Sequence, residues 1–301
     1  MESALLRALT RGPLLSDGAM GTELQRAGLK PGGCGEAWNL DRREHVLTIQ
    51  RAYVDAGADC LVTNTFGGSA IMLERHGEEG RARAINTAAV EIAREAGGHK
   101  QGFVLGDIGP FGGVMEPFGD IPAARVVEAF GSQAEALCRA GVDAILIETQ
   151  TSLEELAIGI DAARAAGAPC VIASLAFDAL VEAGGFATMM GVHPEVAAAF
   201  LVERDVEVLA LNCGTGVDID SAVEIVRTYR EVDPRPIMVQ PNAGQPELEN
   251  LQTVYRQTPE EMGGGVARLI SAGAGIVGGC CGSTPEHIRA MRDALDALAQ
   301  S

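Results

Sequence analysis

Cys280 and Cys281 are adjacent in the run Ile276-Val277-Gly278-Gly279-Cys280-Cys281-Gly282, and Cys213 lies in Leu211-Asn212-Cys213-Gly214. Each site follows a short apolar, β-like run and precedes glycine, the pattern of a strand passing into a loop. Three thiols at the ends of two strands suit a catalytic zinc (Zn2+) whose fourth position stays open. Zinc lowers the pKa of a bound thiol until it ionises near neutral pH, so a substrate thiol could take that position as thiolate. Three thiolate ligands make the metal a weaker Lewis acid than a histidine set does, which favours a sulfur nucleophile over activated water. Adjacent cysteines are not a standard zinc spacing. From spacing alone a second reading stays open, in which the three are packing or redox thiols.

Other polar residues fall at matching places in the pattern. Asp17 heads Asp17-Gly18-Ala19-Met20-Gly21-Thr22-Glu23, whose glycines allow a ligand close to the backbone; the alternative is that Asp17 caps the next helix. Glu148 ends an apolar run, where a charge needs a partner, either a substrate ammonium or a structural cation. Asn212 and Asn242 could hold a carboxylate or a neighbouring loop, and Thr63, Asn64 and Asp107 also follow apolar runs. His45, His76, His99 and His287 fall on helical or polar segments and are expected at the surface, while His193 lies in a loop. Gly273-Ala274-Gly275-Ile276-Val277-Gly278 matches a dinucleotide fingerprint as text, but its glycines enter a strand rather than link strand to helix.

These residues need a framework that brings strand ends together. Eight short apolar runs recur: 13–16, 58–63, 103–107, 144–148, 170–175, 206–211, 237–240 and 275–278. Near-continuous apolar strands are what a parallel sheet covered by helices requires. Helical patterns separate them, and several close on Ala-Gly, as at Gly57, Gly141, Gly167 and Gly273. The fold class read from this repeat is α/β, one (β/α)8 TIM barrel spanning residues 1–301, with a doubly wound open sheet as the alternative. A polar stretch from Asn242 to Met262 reads as a long loop after the seventh strand, of the kind that helps build a site.

A net charge of −18 with no basic cluster excludes nucleic acid and anionic membranes as partners. Apolar runs are too short for a membrane span, and the first residues lack a secretory pattern, so a cytoplasmic location is expected. Seven scattered cysteines argue against a disulfide framework. Cys60, Cys138 and Cys170 sit in apolar patterns as packing residues, and Cys34 in a glycine-rich loop. Self-association into a homo-oligomer is left open.

Seven motifs occur in order: Asp17-Gly-Ala-Met-Gly-Thr-Glu, Thr63-Asn-Thr-Phe-Gly, Gly106-Asp-Ile-Gly-Pro, Ile147-Glu-Thr, Leu211-Asn-Cys-Gly, Pro241-Asn-Ala-Gly and Gly278-Gly-Cys-Cys-Gly-Ser-Thr-Pro-Glu-His. Together the sequence resembles the homocysteine S-methyltransferase family from about residue 13 to 295, the family of the homocysteine-binding module of cobalamin-dependent methionine synthase and of betaine–homocysteine methyltransferase. The resemblance implies a (β/α)8 barrel, zinc on Cys213, Cys280 and Cys281, and an amino-acid grip formed by Asp17, Glu148 and backbone around Gly18. It implies that Asn212 and Asn242 lie beside the site. It implies methyl transfer to the thiol of homocysteine, giving methionine, from a small-molecule donor. Betaine enzymes carry an aromatic directly after the fourth-strand glutamate, where this chain has Thr149; Trp38, Phe66, Phe111, Phe118 and Phe186 remain as candidate site aromatics. The apolar segment 184–191 would suit a sulfonium donor or a corrinoid carried by a separate protein. That second arrangement, and a non-catalytic zinc or thiol sensor on the same barrel, are the alternatives.

Overall fold

The computed structural model describes residues 3–98, 102–249 and 252–300. Of the positions considered above, His99 and the centre of the 242–262 stretch, residues 250–251, lie outside the described residues. The barrel strands are β1 Leu14–Leu15, β2 Cys60–Val62, β3 Phe103–Ile108, β4 Ala144–Gln150, β5 Val171–Leu175, β6 Val208–Asn212, β7 Ile237–Gln240 and β8 Ala274–Val277. They form one eight-stranded parallel sheet in the order β1-β8-β7-β6-β5-β4-β3-β2. Closure between β1 and β2 comes from a parallel bridge of Ser16 with Cys60, with Asp59 N donating to Leu15 O (2.7 Å) and Asp17 N to Cys60 O (3.0 Å). A (β/α)8 barrel is therefore the fold, not an open doubly wound sheet.

The helices of the repeat are α1 Arg43–Ala56, α2 Ala82–Gly97, α3 Ala123–Ala140, α4 Leu153–Ala165, α5 Pro194–Glu203, α6 Ile219–Val232, α7 Pro259–Ala272 and α8 Pro285–Ala299. Gly57, Gly141 and Gly273 take left-handed conformations at the C-caps of α1, α3 and α7, turning the chain into the next strand as the sequence pattern implies.

Strand alternation sets what faces the barrel interior. Leu105, Ala144, Leu146, Ile172, Val208, Ala210, Met238 and Ile276 pack together there, and the short helix Ala4–Leu9 closes the bottom with Leu5. The opposite strand faces, such as Val104, Ile145, Ile147, Leu209 and Val239, pack under the helices. Continuing the interior row by two residues toward the C-terminal ends gives Asp107, Glu148, Ser174, Asn212 and Gln240. One alternation rule thus replaces apolar filling by a polar layer at the face where barrel sites form.

Two expectations need correction. The 242–262 stretch is not wholly irregular: Glu247–Glu249 pairs antiparallel with Gln252–Val254, and α7 begins at Pro259. His287 is not a surface residue. It is buried at the third position of α8, where its ring takes the place of the usual glutamate in a capping box with Thr284 and lies 2.8 Å from Gln257 O. The segment after β5 is also partly ordered, Asp178–Ala179 pairing with Phe186–Ala187.

Candidate active site and thiol centre

Cys213, Cys280 and Cys281 converge at the C-terminal face, their Sγ atoms all within 4.8 Å of one another. Cys213 to Cys281 and Cys280 to Cys281 are both 4.0 Å. Tetrahedral ligation at a zinc–sulfur distance of about 2.3 Å places sulfurs about 3.8 Å apart, so the donor set and its spacing fit the metal. Between the sulfurs alone, donation from Cys280 and Cys281 pulls the Cys213 thiol well below its ordinary range and pushes Cys280 up.

Backbone geometry built by the local sequence holds this cluster. Cys213 has φ 57°, a left-handed conformation that a non-glycine residue adopts at a cost of order 1 kcal/mol. Its N–H donates to Gln240 O (3.1 Å), Cys280 N to Pro241 O (2.8 Å), and Ala243 N to Cys281 O (2.9 Å), so β6, β7 and β8 tips are laced together. Gly278 lets the β8 end press on the chain after β1, since a Cβ there would lie 2.7 Å from Ser16 Cβ, and Gly279 leaves room for the Ser283 side chain. Ser283 Oγ in turn donates to Cys280 O (2.7 Å) and accepts from Ala19 N (3.0 Å), tying the Asp17 loop to the cysteine loop.

Asn212 forms a strap across three strands. Its Oδ1 accepts from Ser174 Oγ (2.6 Å) and Thr149 N (3.1 Å), its Nδ2 donates to Thr149 Oγ1 (2.7 Å), and Cys280 Sγ lies 3.7 Å from Nδ2. The strap holds Thr149, also left-handed at φ 58°, and so fixes the chain directly after Glu148.

A cavity of about 380 Å3 opens onto the thiols, walled by the 18–25 segment, Glu36, Val62 to Phe66, Asp107, Glu148, Thr149, Gln240 and all three cysteines. Its carboxylates are out of their ordinary range. Burial pushes Glu148 up to about 7, with the Cys213 charge adding. Asp17 is raised by burial against hydrogen bonds from Val62 and Ser16, and Asp107 by burial and then by Glu148, Glu36 and Asp17. A more open depression of about 600 Å3 lies at the other end of the barrel, between Arg11, Asp59 and Arg292, and contains no thiol.

The sequence candidates divide by position. Gly18 and Glu148 face the cavity with the cysteines. Asp17 lies just behind the wall. It caps no helix: Oδ2 accepts from Val62 N (2.9 Å) and Oδ1 from Ser16 Oγ (3.2 Å). Asn212 supports Thr149 and Cys280, and Asn242 donates to Gly214 O (3.2 Å), beside Cys213. Thr63 and Asn64 belong to the wall, Asn64 bonded to Gly35 O and Asn39. Of the five candidate aromatics only Phe66 lines the cavity. His193 is exposed, its ring nitrogen 2.9 Å from Phe186 O.

Sequence reasoning missed Glu36, Gln240, Tyr255 and Glu155. Glu36 lines the cavity and accepts from Gly67 N (2.8 Å), yet follows a glycine-rich loop without periodicity. Gln240 was within reach of the alternation rule as the residue two after Met238. Tyr255, just after the hairpin that follows β7, packs on Gly282 next to Cys281. Glu155, in the first turn of α4, accepts from Phe111 N (2.7 Å) and ties down the loop after β3.

A barrel that gathers three thiols and an acidic cavity at its C-terminal face defines a class of thiol-handling barrel proteins with a metal-capable centre. The homocysteine S-methyltransferase family model matches residues 14–295, and the chain belongs to that family. It is 31% identical over 308 residues to methionine synthase of Mycobacterium tuberculosis and 32% identical over 311 residues to that of Mycobacterium leprae. Each match covers 98% of this chain and 25% of the relative, so the chain spans about a quarter of their length. The crystal structure of the homocysteine methyltransferase MmuM from Escherichia coli in its metallated form matches with a TM-score of 0.74 at 24% identity, over 96% of this chain and 99% of that one; its apo form gives 0.71. No helix among the described residues is long and apolar enough to cross a membrane.

Proposed function

We propose that this chain transfers a methyl group to the thiol of homocysteine, forming methionine, with Zn2+ held by Cys213, Cys280 and Cys281. The carrying observation is that the three sulfurs, within 4.8 Å of one another, open into the same cavity as Glu148 and the Gly18 loop. Bound there, zinc would supply a position at which a substrate thiol is held in its anionic form at neutral pH. Glu148 takes the substrate ammonium, and the backbone of Gly18 to Met20 borders the amino-acid portion. Asp17, bonded to Val62 and Ser16, keeps the Gly18 loop in place behind it. Asn212 orients Thr149 and Cys280, and Asn242 holds the Gly214 carbonyl next to Cys213. The acceptor sulfur attacks the donor's methyl carbon in line; the carbon's bond to the leaving atom breaks, and that atom keeps the pair. Holding both partners in one cavity converts this into an effectively unimolecular step. Seven free cysteines favour a reducing compartment such as the cytoplasm.

A second reading keeps the acceptor and changes the donor to a corrinoid on a separate methyl-carrier protein. It is favoured by exposed apolar side chains on C-terminal-face loops: Phe118, Val181, Met189 and Leu248. The test is thiol methylation of L-homocysteine by the zinc-loaded protein with S-methylmethionine, S-adenosylmethionine, betaine and methylcobalamin in turn. Methionine formed with any of them supports the reading, and the donor that works chooses between the two arrangements. No product with any donor, together with no homocysteine binding, overturns it.

A further inference from the structure

Asp107 is 2% exposed, lines the cavity, and its Oδ1 has no hydrogen-bond partner. A buried carboxylate oxygen left unpaired is costly, so its retention calls for an explanation. Two other carboxylates at or behind the cavity wall are engaged by protein donors, Asp17 by Val62 N and Ser16 Oγ and Glu36 by Gly67 N. The cavity wall holds a second acceptor of the same kind, Gln240 Oε1, buried and unpaired.

The backbone of Asp107 is fixed from two sides. Its N–H donates to Thr63 Oγ1 (3.0 Å), and its carbonyl accepts from Thr65 Oγ1 (2.7 Å) and Gln133 Nε2 (3.2 Å). Gln133 Nε2 also donates to Thr65 O (2.8 Å), so α3 and the loop after β2 form one buried web around this strand end. The web fixes the backbone of a residue that lines the cavity and whose Oδ1 has no partner among the described residues.

Two buried acceptors without donors on one cavity wall suit an occupant that brings donors. A sulfonium or quaternary ammonium group carries positive charge but no N–H, and it leaves the oxygen unpaired. A primary ammonium carries three N–H donors in addition to the charge. Asp107 and Glu148 stand on adjacent strands, both at interior positions of the same polar layer. We infer that Asp107 is a further acceptor-binding residue, taking one N–H of the amino-acid ammonium beside Glu148 and so selecting amino-acid thiols over thiols without an amine. This rests on the homocysteine reading above.

The test is calorimetric titration of the wild-type protein and of Asp107→Asn with L-homocysteine and with 4-mercaptobutanoate, the same thiol without the amine. Asparagine keeps the shape, and the Thr63, Thr65 and Gln133 bonds go to backbone atoms and survive. Loss of a charge-assisted hydrogen bond should weaken homocysteine binding on the order of 10- to 100-fold while leaving 4-mercaptobutanoate unchanged. The selectivity ratio is read within one variant, so a misfolded fraction, which lowers both titrations equally, does not mimic the effect. Equal loss for both thiols, or no loss for either, overturns the assignment. A wild-type protein that binds neither thiol contradicts the methyl-acceptor reading itself.

Discussion

Glu155→Gln should stabilise the protein, and only at neutral to alkaline pH. Glu155 is buried, and its Oε1 accepts the Phe111 N–H at 2.7 Å. Burial pushes its carboxyl from 4.5 up to about 7, with the Phe111 N–H pulling the other way. A carboxyl whose folded-state pKa is raised contributes stability that is fully present below its unfolded pKa and is lost as pH rises through the folded value. At 1.36 kcal/mol per pKa unit the loss reaches about 3 kcal/mol by pH 8 and stays below about 1 kcal/mol at pH 5. Glutamine keeps an oxygen for Phe111 and carries no charge, so it avoids the loss. Thermal unfolding followed by circular dichroism at pH 5 and pH 8 reads the difference. At about 2–4 °C per kcal/mol, the variant should melt roughly 5–10 °C above wild type at pH 8 and within a few degrees of it at pH 5. Equal melting at pH 8, or the same advantage at both pH values, would refute the reasoning.

Gly282→Ala should lower the melting temperature by several degrees and shift the tyrosine fluorescence, because its φ is 79° and an added Cβ would lie 2.2 Å from the Tyr255 ring. Asn212→Ala leaves Ser174 Oγ and the Thr149 N–H buried without this partner. It should cost about 1–3 kcal/mol in denaturant titration and weaken metal retention during dialysis through the freed Cys280. Cys34→Ala should leave bound metal unchanged in elemental analysis, since its Sγ lies beside Glu36 and not in the thiol cluster.

The strands were readable where burial on both faces leaves an uninterrupted apolar run, as at Ala144 to Ile147 and Val171 to Leu175. β1 was read as four residues and has two, Leu14 and Leu15 in register with Ile276 and Val277, after which Ser16 N still donates to Val277 O (2.7 Å). The hairpin at Glu247–Glu249 was invisible because all three residues are exposed, so no apolar alternation marks them. His287 reads as a polar helix residue; its burial follows from contacts with Thr284 and Gln257 in another loop, which spacing does not encode. At the site, Glu148 and the three cysteines were marked by strand ends, while Gly18 was named through the family resemblance. The supporting roles were not readable: Asn212 sets the Thr149 conformation and Asp17 bonds Val62 across the barrel closure, and both depend on strands brought together only by folding.

The measurement that bears most directly on the centre is zinc content with sulfur coordination by X-ray absorption, on wild type and single serine variants. The expected result is about one zinc per chain with three protein sulfurs in wild type, a fourth sulfur on adding homocysteine, and loss of the metal in Cys213→Ser, Cys280→Ser and Cys281→Ser but not in Cys60→Ser. Zinc retained at full occupancy in the Cys213 variant, or methyl transfer undiminished after the metal is stripped, would contradict it.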